Sequence, residues 1–266
     1  MDASIEIIGP DEAKTLLAIN TRNRHVSPRI VASLARDMTD GKWQMNGESI
    51  KVSASGKLLD GQHRLLAVIE SGEAIETLIV RGLDESSQDT VDIGHHRSFA
   101  DILSLNGEPN AHNLAASART GWYMDTFNRI RVAHTIATTA ELMTWLESNG
   151  QIREWLPVGR TVGFSPVRYV PSLATALGYL MARQNLLQSE DFWDGLAHGG
   201  ERPGSPINTL RETLLRDLTG ARRMSLVDRA AITIKMWNAY RDGRDDVKVA
   251  FYRGSGPRAE TFPVIK

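Results

Sequence analysis

The most constraining feature of this chain is a polar turn between two apolar pairs. Leu58-Leu59 and Leu65-Leu66 flank the run Asp60-Gly61-Gln62-His63-Arg64. Both pairs belong in a core, so the five residues between them must reverse the chain within one turn. The stretch "ESIKVSASGKLLDG" alternates apolar and polar residues on either side of "ASGK". That pattern predicts a β-hairpin with Ile50 and Val52 facing inward. In "QHRLLAVIESG", Leu65, Leu66, Val68 and Ile69 make a helical face, and Gly72 stands where a C-terminal cap is expected.

A strand end running through Asp60-Gly61 into a helix that starts near Gln62 has the geometry of an anion site. The first helical turn carries N–H groups with no intrahelical partner and the positive end of the dipole, and Gly61 lets the backbone come close to a ligand. Arg64 and His63 can add charge-assisted hydrogen bonds, while Asp60 can hold a magnesium ion or orient the imidazole. The natural ligand is a phosphate. The plainer alternative is that Asp60 caps the helix, with His63 and Arg64 on its wet face.

The surrounding sequence predicts an α+β unit. "IEIIG" reads as a strand, "PDEAKTLLAI" as a helix, and "IETLIVRGL" and "TVDIG" as further strands. Ser27 followed by Pro28 marks a helix start, with Ile30, Leu34 and Met38 at helical spacing over 28–40. Beyond Gly94 the pattern becomes helical, with helices expected over 98–104, 112–127, 139–148, 171–187, 206–218 and 226–242. "LPVGRTVGFSP" and "HGGERPGSP" read as surface loops, and the C-terminal "YRGSGPRAETFPVIK" as irregular. Two domains follow, 1–106 and 107–266. Trp122, Trp145, Trp155, Trp193 and Trp237 sit among apolar residues at helical spacing, as core anchors do.

Composition narrows the chemistry. With no cysteine among 266 residues, disulfides, thiolate zinc sites and cysteine nucleophiles are excluded. A net charge of -1 argues against a wholesale polyanion binder, so any contact with nucleic acid must be local. No run approaches the roughly 18 apolar residues of a membrane span, and a cytoplasmic protein is expected.

The run from "SPRIVASLARDMTDGKW" through "GKLLDGQHRLLAVIESG" to "IETLIVRGL" resembles the N-terminal domain of the ParB/sulfiredoxin superfamily, over roughly residues 5–83. The Asp-Gly-Gln-His-Arg version is similar to the DGQHR, or ParB-like, proteins frequent on phages and mobile elements. The resemblance implies a ParB/sulfiredoxin-like mixed sheet with helices, followed here by a mainly α-helical domain. It also implies that Gly61, Gln62, His63 and Arg64 meet nucleotide phosphates. Sulfiredoxins place a cysteine in this turn, and a chain without cysteine cannot reduce sulfinic acids. Partition proteins carry a Glu-Arg-Arg-type turn, from which Gln62-His63 departs, leaving the nucleotide open. Free-serine kinases of the superfamily carry Asp-Gly-His-His-Arg, close to residues 60–64.

"TVDIGHHRSFADIL" repeats the flavour of the turn and also resembles a pattern in the ParB-like subset, with Asp92, His95, His96 and Arg97 as a second wall of the cleft. Arg22 and Arg24, in "TRNRHVSPR", lie where the superfamily commonly encloses the nucleotide. Those arginines, with Arg129, Arg131, Arg216, Arg222 and Arg223, make either a DNA path or ordinary solvated faces. No helix-turn-helix is discernible. The expectation is a DNA-associated protein that binds a nucleoside triphosphate with magnesium, with DNA and a second copy of the chain as partners. The alternatives are an enzyme using the same cleft, whether a magnesium-dependent nuclease or NTPase or a kinase of a small molecule or base, with Asp60 and His63 as catalytic groups, or an interaction protein that binds no ligand.

Overall fold

The computed structural model describes residues 1–20, 23, 25–90, 97–221 and 223–266. An N-terminal mixed four-stranded sheet with helices is followed by a mainly helical region. The chain divides into two compact units, Met1–His96 with Ala133–Glu141, and Arg97–Val132 with Leu142–Lys266.

In the first unit β1 (Asp2–Ile8), α1 (Pro10–Ala18), α2 (Pro28–Thr39), β2 (Ser49–Ser53), β3 (Leu58–Asp60), α3 (Gln62–Ser71) and β4 (Ile75–Leu83) follow in order, then a 3-10 turn at Glu85–Thr90. The sheet order is β1-β4-β2-β3. β1 is antiparallel to β4, β2 runs parallel to β4, and β2 and β3 form the hairpin. A register shift between Lys51 and Val52 lets Ile50 and Val52 both be buried. Ile8, Ile50, Ile75 and Ile79 pack against Ala13 of α1, Val31, Ala35 and Met38 of α2, and Leu65 and Val68 of α3. The helix predicted at Ser27-Pro28 forms there, but its buried stripe is Val31, Ala35 and Met38; Ile30 is 37% exposed. The strand expected in "TVDIG" falls on residues outside those described, apart from Thr90, which closes the 3-10 turn.

The returning segment Ala133–Glu141 is clasped to α2. The Arg36 Nε donates to Glu141 Oε1 at 2.9 Å, and Thr138 Oγ1 donates to Asp37 Oδ1 at 2.7 Å. Burial raises the pKa of the Asp37 carboxyl, the Thr138 hydrogen bond opposes this, and the nearby Glu141 charge adds to the rise. A carboxyl whose folded pKa exceeds its unfolded value costs stability as pH rises through that folded value. Asp37→Asn keeps the acceptor for Thr138 and removes the charge, so it should stabilise the protein at neutral pH. Because solvent still reaches Asp37, the gain stays below about 1 kcal/mol. Thermal melts of both forms should converge as the pH is lowered; a gap that persists in acid would sink this account.

The second unit holds α4 (Phe99–Leu105), α5 (Ala111–Phe127), most of α6 (Thr139–Ser148), a 3-10 helix (Gly150–Trp155), α7 (Leu156–Phe164), α8 (Pro171–Ala182), α9 (Leu186–His198), α10 (Pro206–Thr219) and α11 (Leu226–Arg241). α8 is apolar on all sides, and its residues Leu173 to Met181 are buried. Gly178 lets Trp155 lie on the α8 backbone, since a Cβ there would stand 2.4 Å from the Trp155 ring. The five tryptophans expected as anchors are all buried. Two readings need correction. "LPVGRTVGF" is helix α7 rather than loop, because Pro157 falls in its first turn, where no N–H is needed. The helix expected over 171–187 ends at Ala182, and Asn185 caps a separate α9 by accepting the Gln188 N–H at 3.0 Å.

Candidate functional site

Asp60 ends β3, Gly61 is the N-cap of α3, and Gln62, His63 and Arg64 form its first turn. Gly61 has φ +102°, in the left-handed region that side chains avoid. A Cβ there would also stand 2.9 Å from Ile50 Cγ1 and 3.3 Å from Ile50 Cα. Backbone conformation and space both demand glycine. Asp60 does not cap the helix. Its Oδ2 is paired with Lys51 Nζ at 2.9 Å, and its Oδ1 accepts the Gly61 N–H at 2.7 Å.

The two side chains that follow turn inward. Gln62 is 4% exposed and His63 6%, against the alternative that places the imidazole on a wet face. The His63 Nε2 accepts the Ser27 backbone N–H at 2.9 Å. An accepting Nε2 carries no proton, so the ring is neutral with its proton on Nδ1. Ser27 is the N-cap of α2, so the imidazole ties the start of one helix to the first turn of another. Arg64 behaves differently: its Nη1 donates to the Glu48 carbonyl at 3.1 Å, and its guanidinium lies 5.6 Å from the centre of the Trp43 ring. Trp43 in turn donates Nε1–H to the Glu76 carbonyl at 3.1 Å. The Glu48 side chain is exposed at the entry to β2.

A row of carboxamides backs the turn. Asn20 Nδ2 donates to Gln62 Oε1 at 3.3 Å, Asn23 Nδ2 donates to Asn20 Oδ1 at 2.7 Å, and Gln88 Nε2 reaches Asn23 Oδ1 at 3.3 Å. Asn23 and Gln88 also donate to the carbonyls of Leu58 and Leu59, at 2.9 and 3.3 Å. Leu58 N–H donates to the Ile19 carbonyl at 3.0 Å. Strand β3 is the sheet edge at this side, and these side chains do for it what a neighbouring strand would do. The sequence offered no signal for Asn20, Asn23, Gln88 or Trp43, because their partners lie 33 to 65 residues away.

The other residues proposed for the site are scattered. Arg22, Arg24, Asp92 and His95 lie outside the described residues, as do His96 and Arg222. Arg97 is exposed and heads α4 in the second unit. Arg129 rests 5.6 Å from the centre of the Phe262 ring, and Arg223 donates to the Asp217 carbonyl at 3.2 Å. A cavity of about 360 Å³ in the helical unit is lined by Glu108, Asn110, Arg153 and Arg160, and contains none of the residues the sequence singled out. Among the described residues no three His, Asp or Glu side chains are grouped to hold a metal. A magnesium ion on Asp60 would have to displace the Lys51 ammonium, so the turn fits a phosphate better than a metal. No helix among the described residues is long and apolar enough to cross a membrane. No family model, curated protein or solved structure matches the chain.

Proposed function

We propose that this is a ParB-like, DNA-associated protein that binds a nucleotide through its phosphates at the turn of residues 60–64. The observation that carries the reading is Gly61, held at φ +102° directly against Ile50 at the head of a ten-residue helix. Such a corner brings backbone close to a ligand at the positive end of a helix dipole. Arg64 and Lys51 put two cationic side chains beside it. Binding is favoured over turnover. Asp60 holds Lys51 and its own turn, and His63 is engaged with Ser27 as an acceptor, so neither is poised as a base. DNA contact rests on the exposed arginines, and its expected signature is an affinity that falls with added salt.

The test is a calorimetric titration of the full chain with ATP, GTP, CTP and UTP, with and without magnesium. One of them should bind, and Arg64→Ala should weaken it about 10- to 100-fold, the worth of a charge-assisted hydrogen bond to phosphate. Arg64→Lys should recover part of the loss. Absence of binding by all four, or full affinity in Arg64→Ala, would overturn the site. Nucleotide hydrolysis abolished by Asp60→Asn with binding intact would instead favour the enzyme.

A further inference from the structure

We propose that β1 joins the β1 of a second copy of this chain across a two-fold axis, extending the four-stranded sheet into one of eight strands. β1 is the terminal strand at the side of the sheet opposite β3. It pairs with β4 over seven consecutive residues without a register shift. Edge strands are usually blunted by a proline, a lysine, a bulge or a covering segment. β3 is covered by the Asn23 and Gln88 side chains, whereas β1, "DASIEII", has neither proline nor lysine nor bulge.

Its side chains point the same way. Ile8, Ile75 and Ile79 lie on the face covered by α1, α2 and α3. On the other face Ala3, Ile5 and Ile7 stand beside Val80, Leu78 and Glu76 of β4, their partners in register. Ile5 is 55% exposed and Ile7 73%, an apolar stripe along an open edge.

Charge selects a copy of the same strand as the occupant, and selects its register. A two-fold axis normal to the sheet keeps every residue on its own face, so odd positions oppose odd and even oppose even. An axis through Ser4 would set Asp2 against the partner's Glu6, and an axis through Glu6 would oppose two carboxylates directly. An axis through Ile5 opposes no like charges. It sets Ile5 on the partner's Ile5, Ala3 on the partner's Ile7 and Ser4 on the partner's Glu6. A Ser4 hydroxyl already donates to the Glu6 carboxylate at 2.5 Å within the strand, so the two groups suit one another. The two apolar stripes then become one, and the two-fold closes the assembly so that no open edge propagates.

Light scattering on the full chain, eluted over a range of micromolar concentrations, should give a particle of two chains. Ile5→Lys sets two ammonium groups on the axis and should raise the dimer dissociation constant by at least about a hundredfold, with the circular dichroism unchanged because the residue is exposed. The register has its own readout, since the chain has no cysteine. Ile5→Cys should form a disulfide-linked dimer under mild oxidation. Ile7→Cys, equally exposed but displaced from its own copy by four residues, roughly 13 Å, should not. A monomer at every concentration, a dimer indifferent to Ile5→Lys, or equal cross-linking at the two positions would overturn the proposal.

Discussion

Gly61→Ala is expected to destabilise the protein by about 2–5 kcal/mol, which is a large share of what holds an ordinary domain together. The figure has two parts. A side chain in the left-handed region costs roughly 1–2 kcal/mol, and forcing a methyl group into a filled space costs about 1–3 kcal/mol more. The space is filled by Ile50, whose Cγ1 and Cα would stand 2.9 and 3.3 Å from the new Cβ. Ile50 is fully buried on the central β2, so it cannot move away cheaply. Gly72→Ala provides the comparison: its φ is +75°, and nothing lies within 4 Å of a Cβ there. Urea denaturation of the two variants separates conformational strain from overlap. If Gly61→Ala costs no more than Gly72→Ala, the close approach to Ile50 is not what requires glycine. Nucleotide affinity of the folded fraction of Gly61→Ala should fall as well, because the turn must widen to accept the methyl group.

Asp217→Ala should cost about 3–5 kcal/mol, the penalty for leaving a buried charge without its partner. The Arg229 and Asp217 side chains are 10% and 6% exposed, with Nη2 donating to Oδ2 at 2.7 Å. Oδ1 of the same carboxylate accepts the Met224 N–H at 2.6 Å, and Arg229 also lies 5.7 Å from the centre of the Tyr169 ring. The pair thus ties the end of α10 to the start of α11 and to the aromatic core of the helical unit. The loss would come mainly from stranding the guanidinium. A double variant, Asp217→Leu with Arg229→Met, should therefore recover at least half of it. Chemical denaturation decides: a double variant as unstable as Asp217→Ala alone would assign the cost to the Met224 hydrogen bond and to lost packing instead.

The candidate site was legible in part. Asp60-Gly61 between apolar pairs announced a strand-to-helix corner, and the corner is there, with the glycine in the conformation only glycine takes readily. The roles of the neighbouring side chains were not legible. Two of the three residues after Gly61 carry polar groups, yet they are directed inward. The reason is the Ser27 N–H and the Asn20 amide, which lie 36 and 42 residues away in sequence and supply partners that make burial tolerable. Trp43 went unremarked for a similar reason: nothing in "GKWQMNG" shows that Arg64 will lie against the indole.

The sequence by itself determined the local events. Ser27-Pro28, Ser205-Pro206 and Ser225 start α2, α10 and α11, and helix α6 spans 139–148 as its pattern required. Caps, prolines and glycines act through the backbone of their own few residues, so their information is local. Tertiary structure decided what those signals leave open: that "LPVGRTVGF" coils into α7 against α8, and that α8 stops at Ala182 so that α9 can turn back. It also decided that His63 becomes a tie between two helices, and that β1 keeps an open apolar edge. Each of these depends on which distant surface arrives to bury a face or accept a hydrogen bond, and that choice belongs to the packed chain rather than to any short stretch of it.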